Sequence, residues 1–316
     1  MCLFPKIIIN KKYSGTKKNG GNPPTLTDER VRYVPVACGQ CMECRKAKAN
    51  EWRVRLHEEL KVNKYAYFIT LTFAPEELNK LCKQYNIEEC NAIAGKAVRL
   101  FLERVRKQTK KSIKHWLITE MGQENTERIH LHGILFPTYP INNEWLIKMW
   151  KYGNADTGQY CNSRSINYVV KYVFKLDPKH KGYVPQIFCS SGIGKTYITE
   201  NAQNKHQFRP NQTRDYYTLP NGQRVALPIY YRNKLYNEQQ RESLWIEKIE
   251  QDTRYVNGIR IDKVMKYDNK YKEYIQILEE AQRTNANLGY GDNSTEWKKK
   301  DYNITLQMLK KGKTNK

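Results

Sequence analysis

No apolar run among the 316 residues approaches the roughly 18 that a bilayer-crossing helix needs. The opening CLFPKIIIN is too short and wrongly flanked for a secretory signal. The chain therefore reads as soluble and unexported. Acidic residues are the second shortage: 32 Asp+Glu stand against 55 Lys+Arg, a formal net charge of +23. Such a surplus favours a polyanionic partner, and without an amphipathic apolar anchor nucleic acid is favoured over a membrane. A phosphate-cradling loop is missing too. The stretch SSGIGKTYI offers the pair Gly194 and Lys195, but the glycine required five positions earlier is Cys189. ATP binding at that loop is excluded.

What is present points to an α+β core. YAYFITLTF (65–73) alternates in the manner of a strand, and IKHWLITEM with ERIHLHGILF reads as a hairpin joined by a short polar link. Helical periodicity marks 43–62, the segment NAIAGKAVRLFLERVRKQTKK, 142–152 and 165–176. Several strands, antiparallel, with helices laid over them, is the expected architecture. The organisation expected is a segment 1–64 with a cysteine cluster and a helix, a core 65–200, and a basic, mostly helical C-terminal extension 201–316. That extension ends in the basic tail WKKKDYNITLQMLKKGKTNK.

His130 and His132 lie two apart in a strand, so both imidazoles leave one face of the sheet. Two imidazoles side by side suit a divalent metal. Glu120, ten residues upstream across the hairpin, is the expected third ligand, with Glu124 and Glu127 as alternatives. Such a set leaves open positions on Mg²⁺ or Mn²⁺ where a phosphate oxygen can be polarised. In INYVVKYVFK, the apolar Ile166, Val169, Val170, Val173 and Phe174 gather on one side of a helix, leaving Tyr168, Lys171, Tyr172 and Lys175 on the other. A phenol beside a polarised phosphodiester and two ammonium groups is a feasible nucleophile. Attack on DNA would leave a 5′-phosphotyrosyl link and a free 3′-hydroxyl. A second tyrosine one turn away permits a second cut before the first bond is resolved.

His-hydrophobic-His in a strand, followed by Tyr-x-x-x-Tyr in a helix, resembles the HUH endonuclease superfamily of rolling-circle replication initiators and relaxases. YVVKYVFK, together with MCLFPKIIIN, VACGQCMECR, TLTF, HLHGILF, SGIG and PIYYRNKLY, resembles in order and spacing the initiators of small single-stranded-DNA phages, the Microviridae, of gokushovirus type. The resemblance spans about 1–240. It implies an RRM/ferredoxin-like core, with Tyr168 and Tyr172 as alternating nucleophiles and His130 and His132 as metal ligands. The strand carrying Thr70 and Thr72 would be structural or DNA-contacting. It also implies single-stranded and origin duplex DNA as partners, a host helicase and polymerase, no membrane, and the host bacterial cytoplasm. A plasmid or conjugative relaxase using the same chemistry, and a non-catalytic RRM-like nucleic-acid-binding module, are the competing readings.

Cys38, Cys41 and Cys44 are spaced three apart and lack a local fourth ligand. In an unexported chain this spacing reads as metal binding. Cys2 would complete an all-thiolate structural Zn²⁺ site, with His57 as a second option and three reduced thiols as the plain alternative.

Overall fold

The computed structural model describes residues 1–122, 128–177, 179–180 and 183–292, with the side chains of Lys18 and Gln159 left aside. The chain divides into two compact units. One joins Met1–Cys44 to the segment that starts at Asp252, and the other runs Arg45–Gln251. Glu124, Glu127 and the basic tail 297–316 lie outside the described residues.

In the first unit, β1 (Lys6–Ile9) pairs antiparallel with β2 (Tyr33–Val36), and α1 (Met42–Val62) begins here. The second unit takes up α1 from Arg45 and continues through β3 (Tyr67–Leu71), α2 (Pro75–Tyr85), α3 (Cys90–Thr109), β4 (Lys114–Met121), β5 (Ile129–Phe136), α4 (Asn143–Trp150), β6 (Ala155–Tyr160), α5 (Ser163–Phe174) and β7 (Ile187–Cys189). Further on come α6 (Glu200–Lys205), the short pair β8 (Tyr216–Thr218) and β9 (Arg224–Ala226), α7 (Ile229–Leu235) and α8 (Glu238–Glu250). The first unit resumes with the hairpin β10 (Thr253–Val256) and β11 (Ile259–Asp262), then α9 (Asp268–Asn287).

Five strands form one antiparallel sheet in the order β6-β3-β5-β4-β7, with helices against it. The expected α+β class is therefore what the chain adopts. The paired strands β4 and β5 match the hairpin read from sequence, and their register sets Glu120 directly opposite His130. Side-chain alternation divides the sheet. One face carries Phe68, Trp116, Ile118, Ile134 and Phe136, packed with Ala49 and Leu56 of α1 and with Ile166, Val169, Val170 and Val173 of α5. That face has its apolar middle sealed by the two helices. Its polar end, where β4 finishes and β5 begins, holds Glu120, His130 and His132.

α5 forms where its sequence says it should. Asn162 caps it, accepting from Arg164 and Ser165 backbone N–H groups, while Ser165 reaches back to Asn162. Tyr172 departs from the helical-wheel expectation. It is buried within the apolar cluster, whereas Tyr168 remains 46% exposed. Phe68 and His132 supply an aromatic floor that the wheel cannot see: the Tyr172 ring stacks on His132 at 4.5 Å between centroids, tilted 12°.

The SGIG and PIYYRNKLY stretches have a structural explanation. Gly194 sits at φ +74°, and a Cβ there would meet the Arg55 carbonyl oxygen at 2.7 Å and Tyr231 Oη at 2.6 Å. Tyr231 donates to the Gly194 carbonyl (2.9 Å), and the Gly194 N–H donates to buried Glu59 (2.7 Å). Lys114 completes that anchor with an ion pair to Glu59 at 2.6 Å. These residues lock α1, β4 and α7 together around one loop and take no part in the polar end of the sheet. No helix among the described residues is long and apolar enough to cross a membrane.

Candidate functional site

β4 and β5 place three side chains on one face by register alone. Glu120 Oε2 lies 3.2 Å from His130 Nε2 and 3.1 Å from His132 Nε2. Ligand atoms of all three residues fall within 4.8 Å of one another. The other ring nitrogens are also engaged. His130 Nδ1 is 3.4 Å from the Arg128 carbonyl, and His132 Nδ1 is 3.1 Å from Thr70 Oγ1 on β3.

These contacts decide where the protons sit. A carbonyl only accepts, so His130 carries its proton on Nδ1 and turns a bare Nε2 toward a carboxylate oxygen. Two acceptors 3.2 Å apart require a cation between them, either a second proton on His130 or a metal ion. Thr70 both donates and accepts, so its contact serves either tautomer of His132. Burial pushes the His132 imidazole below its ordinary pKa and favours the neutral, ligating form. Burial works against ionised Glu120, but hydrogen bonds with His130, His132 and Lys175 outweigh it and hold the carboxyl far below the usual range.

The donor set fits a small divalent cation. Adjacent ligands of an octahedron with bonds of about 2.0–2.1 Å stand about 3 Å apart, close to the two separations at Glu120 Oε2. Two imidazoles and one carboxylate would fill three positions and leave the rest for water or substrate. Outer contacts from Thr70 and the Arg128 carbonyl orient the rings, as such partners do at metal centres.

The tyrosines and lysines of α5 meet this group. Tyr172 Oη donates to Tyr168 Oη at 2.8 Å. Lys171 Nζ lies 3.6 Å from the centre of the Tyr168 ring. Lys175, just past the end of α5, forms an ion pair with Glu120 Oε1. Burial, together with the contact to Tyr168 and the Glu120 charge, pushes the Tyr172 hydroxyl far above the ordinary tyrosine range. The seven residues Glu120, His130, His132, Tyr168, Lys171, Tyr172 and Lys175 thus form one linked cluster.

Two roles emerge that sequence left open. Lys175 balances Glu120, a role beyond the phenolate or phosphate contact expected of it. Phe68, unnoticed as a site residue, lies edge-on to Tyr168 at 5.6 Å and parallel to His132 at 6.0 Å. Its aromatic alternation in FITLTF was the available signal. Thr72 instead donates to the Asn154 carbonyl (3.0 Å) and is structural. Elsewhere, Cys2 joins Cys38, Cys41 and Cys44 in a second group with converging ligand atoms. His57 is buried on α1 and is not part of it.

Comparison with known proteins falls on this arrangement. Residues 66–177 match the family model for replication-associated protein ORF2. That window runs from β3 to just past α5 and contains all seven clustered residues. The chain is also similar to the replication-associated protein ORF2 of Spiroplasma virus 4, 29% identical over 233 residues, covering 64% of this chain and 71% of that protein. It is similar again to the replication-associated protein VP4 of Bdellovibrio phage phiMH2K, 23% identical over 225 residues, covering 62% of this chain and 66% of that protein. No solved structure gives a significant match.

Proposed function

We propose that the protein initiates rolling-circle replication of a small single-stranded-DNA phage. It would cut one strand of the replicative duplex at the origin and later rejoin the ends, as an HUH endonuclease with an RRM-like core. The observation that carries this reading is the meeting of the Glu120–His130–His132 group with the Tyr168–Tyr172 pair. The names of the similar phage proteins support the biological setting and favour it over a conjugative relaxase.

A divalent ion held by Glu120, His130 and His132, Mg²⁺ or Mn²⁺, would polarise a non-bridging phosphate oxygen of bound single-stranded DNA. Tyr168 Oη, the exposed hydroxyl, attacks phosphorus and releases the 3′-oxygen. The phenolic proton is given up as the new phosphorus–oxygen bond forms, and the leaving oxygen takes one to become a 3′-hydroxyl. Tyr172 donates to the attacking oxygen and stabilises its developing charge. Lys171, above the Tyr168 ring, stands where it can neutralise the phenolate or a flanking phosphate. One phosphodiester is exchanged for another, so the reverse reaction reseals the strand without ATP. Tyr172, one helical turn on, serves the second cut once the Tyr168 link is made.

Incubation with Mn²⁺ and labelled single-stranded origin DNA, followed by denaturing electrophoresis, tests this. A covalent adduct is expected, and the Tyr168→Phe/Tyr172→Phe double variant abolishes it. His130→Ala loses metal-dependent cleavage and keeps salt-sensitive DNA binding. Absence of adduct on every origin-containing strand refutes the enzyme and leaves a binding module. Adduct on a plasmid transfer origin but not on phage origins transfers the assignment to a relaxase.

A further inference from the structure

We propose that Cys2, Cys38, Cys41 and Cys44 hold a structural Zn²⁺ ion, separate from the site on the sheet, on which the folding of the first unit depends. The four Sγ atoms lie within 4.8 Å of one another. Cys38 Sγ and Cys44 Sγ are 3.8 Å apart. In a tetrahedral thiolate site with zinc–sulfur bonds of about 2.3 Å the sulfurs stand about 3.8 Å from each other. None of the eight cysteines is in a disulfide. The sulfurs are also too close together to span a cluster of several irons.

The backbone is arranged for thiolates. Cys38 N–H points at Cys2 Sγ (3.2 Å), Cys41 N–H at Cys38 Sγ (3.3 Å) and Cys44 N–H at Cys41 Sγ (3.5 Å). Gly39, at φ +77°, supplies the left-handed residue that folds CGQC back on itself. Cys41 precedes α1 and Cys44 lies in its first turn, where the helix dipole favours negative charge. These donors and the dipole offset part of the charge that four thiolates bring to one zinc.

The surroundings make the site closed and therefore structural. Leu3, Cys41, Met42, Val256 and Ala281 are buried together, with Ile277 and Leu278 of α9 packed against them. Four protein ligands leave no position for substrate. Asn285 of α9, 1% exposed, accepts from Met42 N–H at 2.8 Å and serves as a cap for α1 that is remote in sequence. Gln282 donates to the Leu3 carbonyl (2.8 Å). The residues that follow Cys2 and precede α1 are thus the ones that α9 and β10 pack upon. The C-terminal segment needs this ligand loop in place, and zinc holds the loop. All of these residues lie outside the 66–177 family match, so the two metal sites can be tested apart.

Elemental analysis of the full-length chain, purified without chelator, is expected to find stoichiometric zinc. The zinc persists in the His130→Ala/His132→Ala variant and is lost in Cys38→Ser/Cys44→Ser. If the cysteine variant fails to fold, the wild-type protein still decides the matter. Its cobalt-exchanged form should show the intense visible absorption of a tetrahedral cobalt thiolate. Native thiol titration should release these four cysteines only after a strong zinc chelator is added, with protease cleavage then appearing within 252–292. Zinc-free protein with four freely titrating thiols overturns the proposal. So does iron in place of zinc, or zinc that follows His130 and His132 and ignores the cysteines.

Discussion

Replacing Tyr172 by Phe deletes one hydroxyl and keeps the ring stacked on His132, so it isolates the hydrogen bond donated to Tyr168 at 2.8 Å. In the ground state both partners are neutral, and such a bond is worth about 0.5–1.5 kcal/mol net. As Tyr168 attacks, its oxygen gains negative charge, and a bond to a charged acceptor is worth about 1.5–3 kcal/mol. Only the difference accelerates the chemistry, which leaves about 1–1.5 kcal/mol, or a roughly 5- to 15-fold slower first cut. Tyr168→Phe removes the exposed nucleophile itself. It should cost far more, leaving the residual cleavage of a buried phenol held far above its ordinary pKa. Single-turnover adduct formation at saturating Mn²⁺ separates the two, with thermal unfolding confirming that neither variant disturbs the core. Equal rates in the two variants would refute the order of action, and so would a Tyr168→Phe protein that cuts at the wild-type rate.

Three further outcomes are expected. Thr70→Val removes the partner of His132 Nδ1 and should weaken Mn²⁺ affinity about 10- to 100-fold; unchanged affinity by calorimetric titration would show that the ring is oriented by stacking alone. Glu59→Ala leaves Lys114 and the Gly194 N–H without their acceptor. It should destabilise by about 3 kcal/mol, the low end for breaking a buried pair, because Lys114 is partly exposed; a change under about 1 kcal/mol in urea unfolding would contradict the anchoring role. In pH, burial opposes the Glu59 charge, but Lys114, the Gly194 N–H and Asn63 outweigh it and lower its pKa in the folded protein. A carboxyl lowered on folding stabilises fully above its unfolded pKa of about 4.3 and loses that contribution as pH falls through the folded value. The stability gap between wild type and Glu59→Gln should therefore be widest near neutral pH and shrink in acid, and a gap that grows in acid would reverse the sign.

Much of the site was legible in residue order because it rests on two short periods. Alternation in a strand puts His130 and His132 on one face wherever that strand lies, and a hairpin of the observed length brings Glu120 opposite. Helical spacing likewise puts Tyr168 and Tyr172 on one stripe. The edge strands β6 and β7 were not announced: ADTGQY has little β-branched or aromatic pattern, and IFC is three residues long. They are strands because their neighbours in the sheet offer open backbone groups, which is a tertiary cause.

The same limit explains the rest. Composition and local pattern by themselves determined the α+β class, the basic character, the histidine pair, the tyrosine pair and the cysteine run, since each depends only on neighbours within a turn or a hairpin. Tertiary structure alone decided which tyrosine is buried, because the floor beneath Tyr172 comes from β3 and β5. It decided that Lys175 answers Glu120 and that Cys2, not His57, joins the cysteine run. It also decided that α9 packs on the first residues of the chain. Each is a contact between segments far apart in sequence, chosen by which surfaces could be buried together.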